Sequence, residues 1–144
     1  MKDLTTYINE NFKISKNTRV FVGKFIYKPT GYGAIKIFDA DWSQYKDFKD
    51  KVYINGEHVE LDAGWTEENY DIDEYEVEIK DIYKVTDCEG MFWDCDELTT
   101  VPLFVFVTNK TINMSNMFHG CNLLDKETRR LWSKIYDFEK HTGK

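Results

Sequence analysis

The sequence predicts an α+β fold: a small antiparallel sheet domain joined to two solenoid coils, with an N-terminal and a C-terminal helix. Three observations lead there. Residues 17–85 carry runs of β-branched and aromatic residues broken by turn residues. Residues 86–124 contain a stretch that matches itself 26 positions on (117 minus 91). Both ends of the chain space their apolar residues as helices do. The expected parts are an N-terminal helical segment over 1–16, a small antiparallel β domain over 17–85, and two repeats plus a capping helix over 86–144.

In the first part, Leu4, Tyr7, Ile8 and Phe12 fall on one helical face. The period then changes. TRVFVGKFIYKP (Thr18 to Pro29) has strand composition. PTGYG (Pro29 to Gly33) reads as a turn, and AIKIF (Ala34 to Phe38) as a second strand. In KVYINGEHVEL (Lys51 to Leu61), Asn55-Gly56 between two apolar runs marks a hairpin, since both residues tolerate positive φ. YEVEIKDIYKV (Tyr75 to Val85) alternates with period two. Tyr75, Val77 and Ile79 would face a core, and Glu76, Glu78 and Lys80 would face water. About five strands result for 18–85, a usual sheet size.

The third part holds the self-match. CEGMFWDCDEL (Cys88 to Leu98) aligns with MSNMFHGCNLL (Met114 to Leu124). Met91 falls on Met117, Phe92 on Phe118, Cys95 on Cys121 and Leu98 on Leu124. Such a period predicts coils that stack and place equivalent side chains inward as ladders. Trp93 and His119 differ between the copies, which puts them on the outside or at a coil edge. Asp125 is positioned to cap a helix over Asp125 to Lys140, whose apolar stripe is Leu131, Trp132, Ile135 and Phe138.

The pattern MFxxCxxLTTVPLF, then MSNMFxGCxxL, resembles the BspA-like leucine-rich repeats over about residues 86–124. That resemblance implies a curved solenoid that binds other proteins, without catalytic residues, in a Bacteroides-type bacterium or its phage. Two copies are fewer than the three or more a free-standing solenoid needs. The sheet and the last helix are therefore expected to close its two ends. MKDLTTYINE (Met1 to Glu10) is similar to head-targeting leaders of tailed-phage internal proteins, which are cut after a Glu such as Glu10. An ordinary N-terminal helix explains the same residues.

Composition narrows the function. A 144-residue chain with 42% hydrophobic and 16% aromatic residues can build a core. The net charge of −7 disfavours general nucleic-acid binding, which relies on Lys and Arg neutralising phosphates. The same charge fits a partner protein with a basic surface. No apolar run reaches the roughly 20 residues of a membrane span, and no apolar signal region opens the chain, so a cytoplasmic or virion-associated protein is expected.

Metal and catalytic readings are weaker. Cys88, Cys95, His119 and Cys121 could be drawn as a zinc set, but C-x6-C then H-x-C is not a zinc spacing. Cys95 and Cys121 occupy equivalent repeat positions, which explains them as core residues. His58, His119 and His141 have no nucleophile motif beside them, and GYG (Gly31 to Gly33) lacks the rest of a phosphate loop. Neither enzyme activity nor a cofactor or metal is expected.

The clearest surface feature lies between Asp62 and Asp81. It holds Asp62, Glu67, Glu68, Asp71, Asp73, Glu74, Glu76, Glu78 and Asp81 against a single base, Lys80. Trp65 and Tyr70 are interleaved. The segment reads either as a solvated face or as a docking patch, with aromatics anchoring and carboxylates steering a basic partner. The candidate partner-binding residues are Trp65, Glu67, Glu68, Tyr70, Asp71, Asp73, Glu74, Glu76, Glu78, Trp93 and His119. The leading expectation is a non-enzymatic protein-protein interaction module. The alternatives are an acidic phage inhibitor that mimics nucleic acid against a host defence nuclease, and a phage virion protein.

Overall fold

Asn55 and Gly56 sit at φ of 50° and 88°. That left-handed pair closes the two-residue turn between strands β4 (Val52–Ile54) and β5 (Glu57–His58). β4 in turn pairs with β8 (Tyr75–Ile79), Val52 opposite Ile79 and Ile54 opposite Val77. The alternation written in β8 holds: Tyr75, Val77 and Ile79 are buried, while Glu76 is exposed and Glu78 half-buried. β3 (Phe25–Tyr27) lies on the far side of β8, with Phe25 opposite Val77. Beyond β3 runs β9 (Leu98–Thr100), which completes a five-stranded antiparallel sheet of order β5-β4-β8-β3-β9.

The computed structural model describes residues 12–15, 18–21, 23–30, 34–66, 73–104 and 112–138, the first two stretches as backbone alone. Two small ribbons accompany the main sheet. β1 (Phe12–Ser15) pairs with β2 (Thr18–Phe21), and β6 (Leu61–Asp62) pairs with β7 (Trp65–Thr66). No helix among the described residues is long and apolar enough to cross a membrane.

One core lies under the sheet. Phe25, Tyr27, Val52, Ile54, Tyr75, Val77, Ile79 and Leu98 from the strands join Met91, Phe92, Cys95, Phe104, Met117, Phe118 and Trp132 in a single buried cluster. Aromatic edges and faces tie it together. Phe25 meets Phe92 and Phe104 at centroid distances of 5.8 and 5.4 Å, and Phe118 meets Trp132 edge-on at 5.2 Å.

Among the described residues the expected solenoid is not seen, and the α+β fold built on it is overturned. What stands is a set of small antiparallel sheets with little helix. The two self-matching segments do lie side by side. Cys88, Gly90, Phe92 and Asp94 donate their N–H groups to the carbonyls of Asn113, Ser115, Met117 and His119 at 2.7–3.0 Å. Phe92 and Phe118 stack at 5.8 Å with planes 6° apart. Each segment, however, is a run of overlapping tight turns, such as Met91 N–H to Cys88 and Cys121 N–H to Phe118, and not a coil with its own strand. Only the first contributes a strand, and that strand joins the sheet. The physical reason is burial. Two turn-rich layers cannot cover their own apolar faces, so Phe25 closes one side and Trp132 and Tyr136 the other.

Other expectations are corrected in the same way. Phe12 belongs to a strand and not to an N-terminal helix: it stands opposite Phe21 in the β1–β2 ribbon. The remainder of that helix, with the leader-like Met1 to Glu10, lies outside the described residues. The stretch Thr18 to Pro29 forms two strands in two different sheets. Ala34 to Phe38 forms only an isolated bridge, Lys36 opposite Trp65, because Ile37 and Phe38 are both buried and end the alternation.

The described residues include two short α-helices, α1 (Tyr45–Phe48) and α2 (Lys126–Trp132). α2 starts where expected, with the Asp125 carboxylate accepting the Thr128 N–H at 2.8 Å. It stops at Trp132 instead of running to Lys140. Trp132, Thr128 and Tyr136 face inward, while Leu131 is half-buried and Ile135 is 42% exposed. The indole of Trp132 donates to the Val101 carbonyl at 2.8 Å, which anchors the helix end to the segment after β9.

A candidate acidic cleft

The β6–β7 ribbon is bent tightly at Ala63 and Gly64, both with positive φ. A Cβ on Gly64 would stand 2.1 Å from the Phe38 carbonyl oxygen, so only glycine lets the ribbon close on the segment before it. That approach sets the Lys36–Trp65 bridge. Residues directly opposite in an antiparallel pair project to the same side. Trp65, 43% exposed, thus shares a side with Lys36.

Lys36 points into a cleft of about 490 Å³ lined by Asp39, Asp41, Trp42, Glu89, Trp93 and Asp94, with Gly90 and Asn116. Its side chain is only 13% exposed, and its ammonium is held twice, by Asp39 Oδ1 at 2.7 Å and by the Trp93 carbonyl at 2.7 Å. Asp39 also accepts the Asp41 N–H through its other oxygen at 3.1 Å. Trp42 closes the base of the cleft, stacked on Phe48 at 5.5 Å and edge-on to Phe38 at 5.3 Å.

The opposite wall comes from the stacked turn segments. Asp94 takes φ of 56°, a conformation Asp tolerates better than most residues, and donates its N–H to the His119 carbonyl at 2.7 Å. Gly120 lies against it so closely that a Cβ there would meet Asp94 Oδ1 at 2.0 Å. Trp93 and His119 stack on each other at 3.9 Å with planes 24° apart. His119 Nδ1 is buried without a hydrogen-bond partner. Glu89 is tied at one oxygen to the Asn113 amide at 2.6 Å.

Among the described residues, four carboxylates line the cleft (Asp39, Asp41, Glu89, Asp94) against one ammonium (Lys36), an excess of three negative charges (four minus one). Among the described residues neither Asp41 nor Asp94 has an ion-pair partner. The carboxylates are spread too widely for coordination: no group of three or more His, Cys, Asp or Glu among the described residues is placed to hold a metal.

The residues singled out from sequence are distributed unevenly. Trp65 reaches the Lys36 side of its ribbon, and Trp93 lines the cleft with the half-buried His119 stacked on it. Asp73, Glu74 and Glu76 are exposed along β8 and the approach to it. Glu78 is paired with Lys24 at 3.5 Å, and Lys80 lies over the Tyr53 ring at 4.6 Å, so this face is partly neutralised. Glu67, Glu68, Tyr70 and Asp71 lie outside the described residues. Sequence reasoning missed Asp39, Asp41, Glu89 and Asp94. The run Asp39-Ala-Asp41-Trp42 carried the same acidic and aromatic signal on a smaller scale.

The thiols offer no reactive group. Cys88, Cys95 and Cys121 are free and buried. Burial pushes the Cys88 and Cys121 thiols up to about 12, and that of Cys95 well above its ordinary range. A thiol so placed is not a thiolate at neutral pH and is a poor nucleophile. No family model matches the chain, and no curated protein or solved structure matches it.

Proposed function

We propose that the chain is a non-enzymatic protein-binding module that docks a partner with a basic surface at the acidic cleft. The observation that supports this reading is the charge imbalance of the cleft beside the half-buried Trp93. The Lys36 ammonium is already bonded to Asp39 and to a backbone carbonyl, while Asp41 and Asp94 are exposed to solvent. Carboxylates so arranged steer a basic surface during encounter, and indoles supply contact area at low entropic cost. The chain-wide charge of −7 adds long-range attraction of the same sign.

Affinity capture from the native host, followed by calorimetry with the captured protein, tests the proposal. Wild type is expected to bind a basic protein with an affinity that falls as salt rises. Asp41→Lys with Asp94→Lys should abolish capture, while Glu74→Lys, Glu76→Lys and Glu78→Lys together should weaken it far less. Salt-independent binding, or capture that survives the Asp41 and Asp94 reversals, would exclude the cleft as the contact.

A further inference from the structure

We propose that Asn55 is a site of spontaneous deamidation and that its two bonds to Glu76 set the rate. The sequence contains one Asn-Gly step, Asn55-Gly56. The fold places it at the tip of the β4–β5 hairpin, with both residues exposed to solvent. Gly56 has no side chain to shield its nitrogen, and a Cβ built there would meet nothing within 4 Å. Among the described residues the Gly56 N–H makes no hydrogen bond, so the attacking nitrogen is unengaged. Asn113, Asn116 and Asn122 precede Met, Met and Leu, whose bulk hinders the same attack.

The chemistry needs only water. The Gly56 nitrogen bonds to Asn55 Cγ as its proton passes to the departing side-chain nitrogen. The Cγ–Nδ2 bond breaks, ammonia leaves and a succinimide ring remains. Water then opens the ring. Cleavage at Cγ gives aspartate. Cleavage at the main-chain carbonyl gives isoaspartate, with the chain running through Cγ. Nothing is oxidised or reduced.

Glu76 opposes ring closure. The Asn55 N–H donates to the Glu76 carbonyl at 2.9 Å, and the Glu76 N–H donates to Asn55 Oδ1 at 2.9 Å. Closing the ring brings Cγ onto the Gly56 nitrogen and turns Oδ1 away from β8. The reaction therefore runs through hairpins whose tip has opened, and its rate follows that open fraction. Both products add a carboxylate beside the exposed Glu57 and Glu76. Isoaspartate also adds a methylene to the main chain, so the two-residue turn that sets Ile54 opposite Glu57 no longer fits. Modification thus loosens the hairpin and the adjoining end of β8.

The test ages the full chain at one pH, folded and in urea. Peptide mapping by mass spectrometry follows Asn55, enzymatic methylation of isoaspartate scores that product, and hydroxylamine should cut the chain between residues 55 and 56. In the folded chain Asn55 is expected to convert before any other Asn, about tenfold more slowly than in urea, as local opening governs the rate. Asn55→Gly keeps a left-handed turn and serves as the blank. Glu76→Pro removes the N–H that holds Oδ1 and should bring the folded rate toward that in urea, with circular dichroism reporting the fold. Should that variant not fold, wild type in urea below its unfolding transition replaces it, and its rate should rise with urea. An intact Asn55 in folded protein after the urea sample has converted, a folded rate equal to that in urea, or earlier conversion of another Asn would each overturn the proposal. So would a folded Glu76→Pro chain, or wild type in low urea, that ages no faster than wild type in buffer.

Discussion

Asp125 shows how much one side chain can settle. It accepts the Thr128 N–H, and one of its oxygens takes the Thr100 hydroxyl at 2.8 Å, so the same carboxylate starts α2 and ties it to β9. Partial burial pushes its pKa up, but the Thr128 and Thr100 hydrogen bonds outweigh this and bring it below its ordinary 3.8. A lowered folded-state pKa adds stability that is complete above the unfolded value and lost as pH falls through the folded one. Asp125→Ala is therefore expected to cost about 1 kcal/mol at neutral pH, with the difference from wild type shrinking below pH 3.8. Urea titrations at neutral and acid pH measure both effects. The thiols behave oppositely. Their raised pKa values mean a contribution that is whole below pH 9 and fades between there and about 12. Native protein should resist a thiol reagent at pH 7 and expose all three cysteines in denaturant; rapid labelling of the folded chain would contradict the burial. The cap was legible in the sequence because its chemistry is local. Asp39 and Asp41 were not, because nothing local brings them opposite Asp94.

At the scale of elements, the legible parts are those whose instruction lies within a few residues. Asn55-Gly56 specified its turn, and the alternation of β8 specified its inner face. β9 was hidden, since Leu98-Thr99-Thr100 is too short to show a period and becomes a strand only by pairing with β3. The length of α2 was misread for a related reason. The stripe Leu131, Trp132, Ile135 and Phe138 has helical spacing, yet Trp132 bonds to Val101 and the chain turns there, leaving Ile135 outside. The self-match was visible and its winding was not: equal residues came together as stacked turns, and sheet pairing determined the rest. Gly120 tests that stacking. Alanine there would force a Cβ against Asp94 and hold a positive φ, and a loss of about 1–3 kcal/mol is expected by urea denaturation. Unchanged stability would mean that the two turn segments sit further apart.

The whole molecule depends on contacts that cross from one half of the sequence to the other. Phe25 packs on Phe92 and Phe104, and β3 is flanked by β8 on one side and β9 on the other. Calorimetry should show one transition whose van't Hoff and calorimetric enthalpies agree. A fragment of residues 1–85 should lack a melting transition, because it leaves Phe25 and Tyr27 without the segments that bury them. Two separated transitions, or a folded fragment, would show that the halves stand alone.

The pairing of Ile26 with Thr100 spans 74 positions (100 minus 26). During synthesis, β3 leaves the ribosome long before its second neighbour has been translated. Closing so long a loop slows folding, and the nascent chain carries an uncovered hydrophobic edge in the meantime. Chaperone engagement of the nascent chain should persist until β9 has emerged.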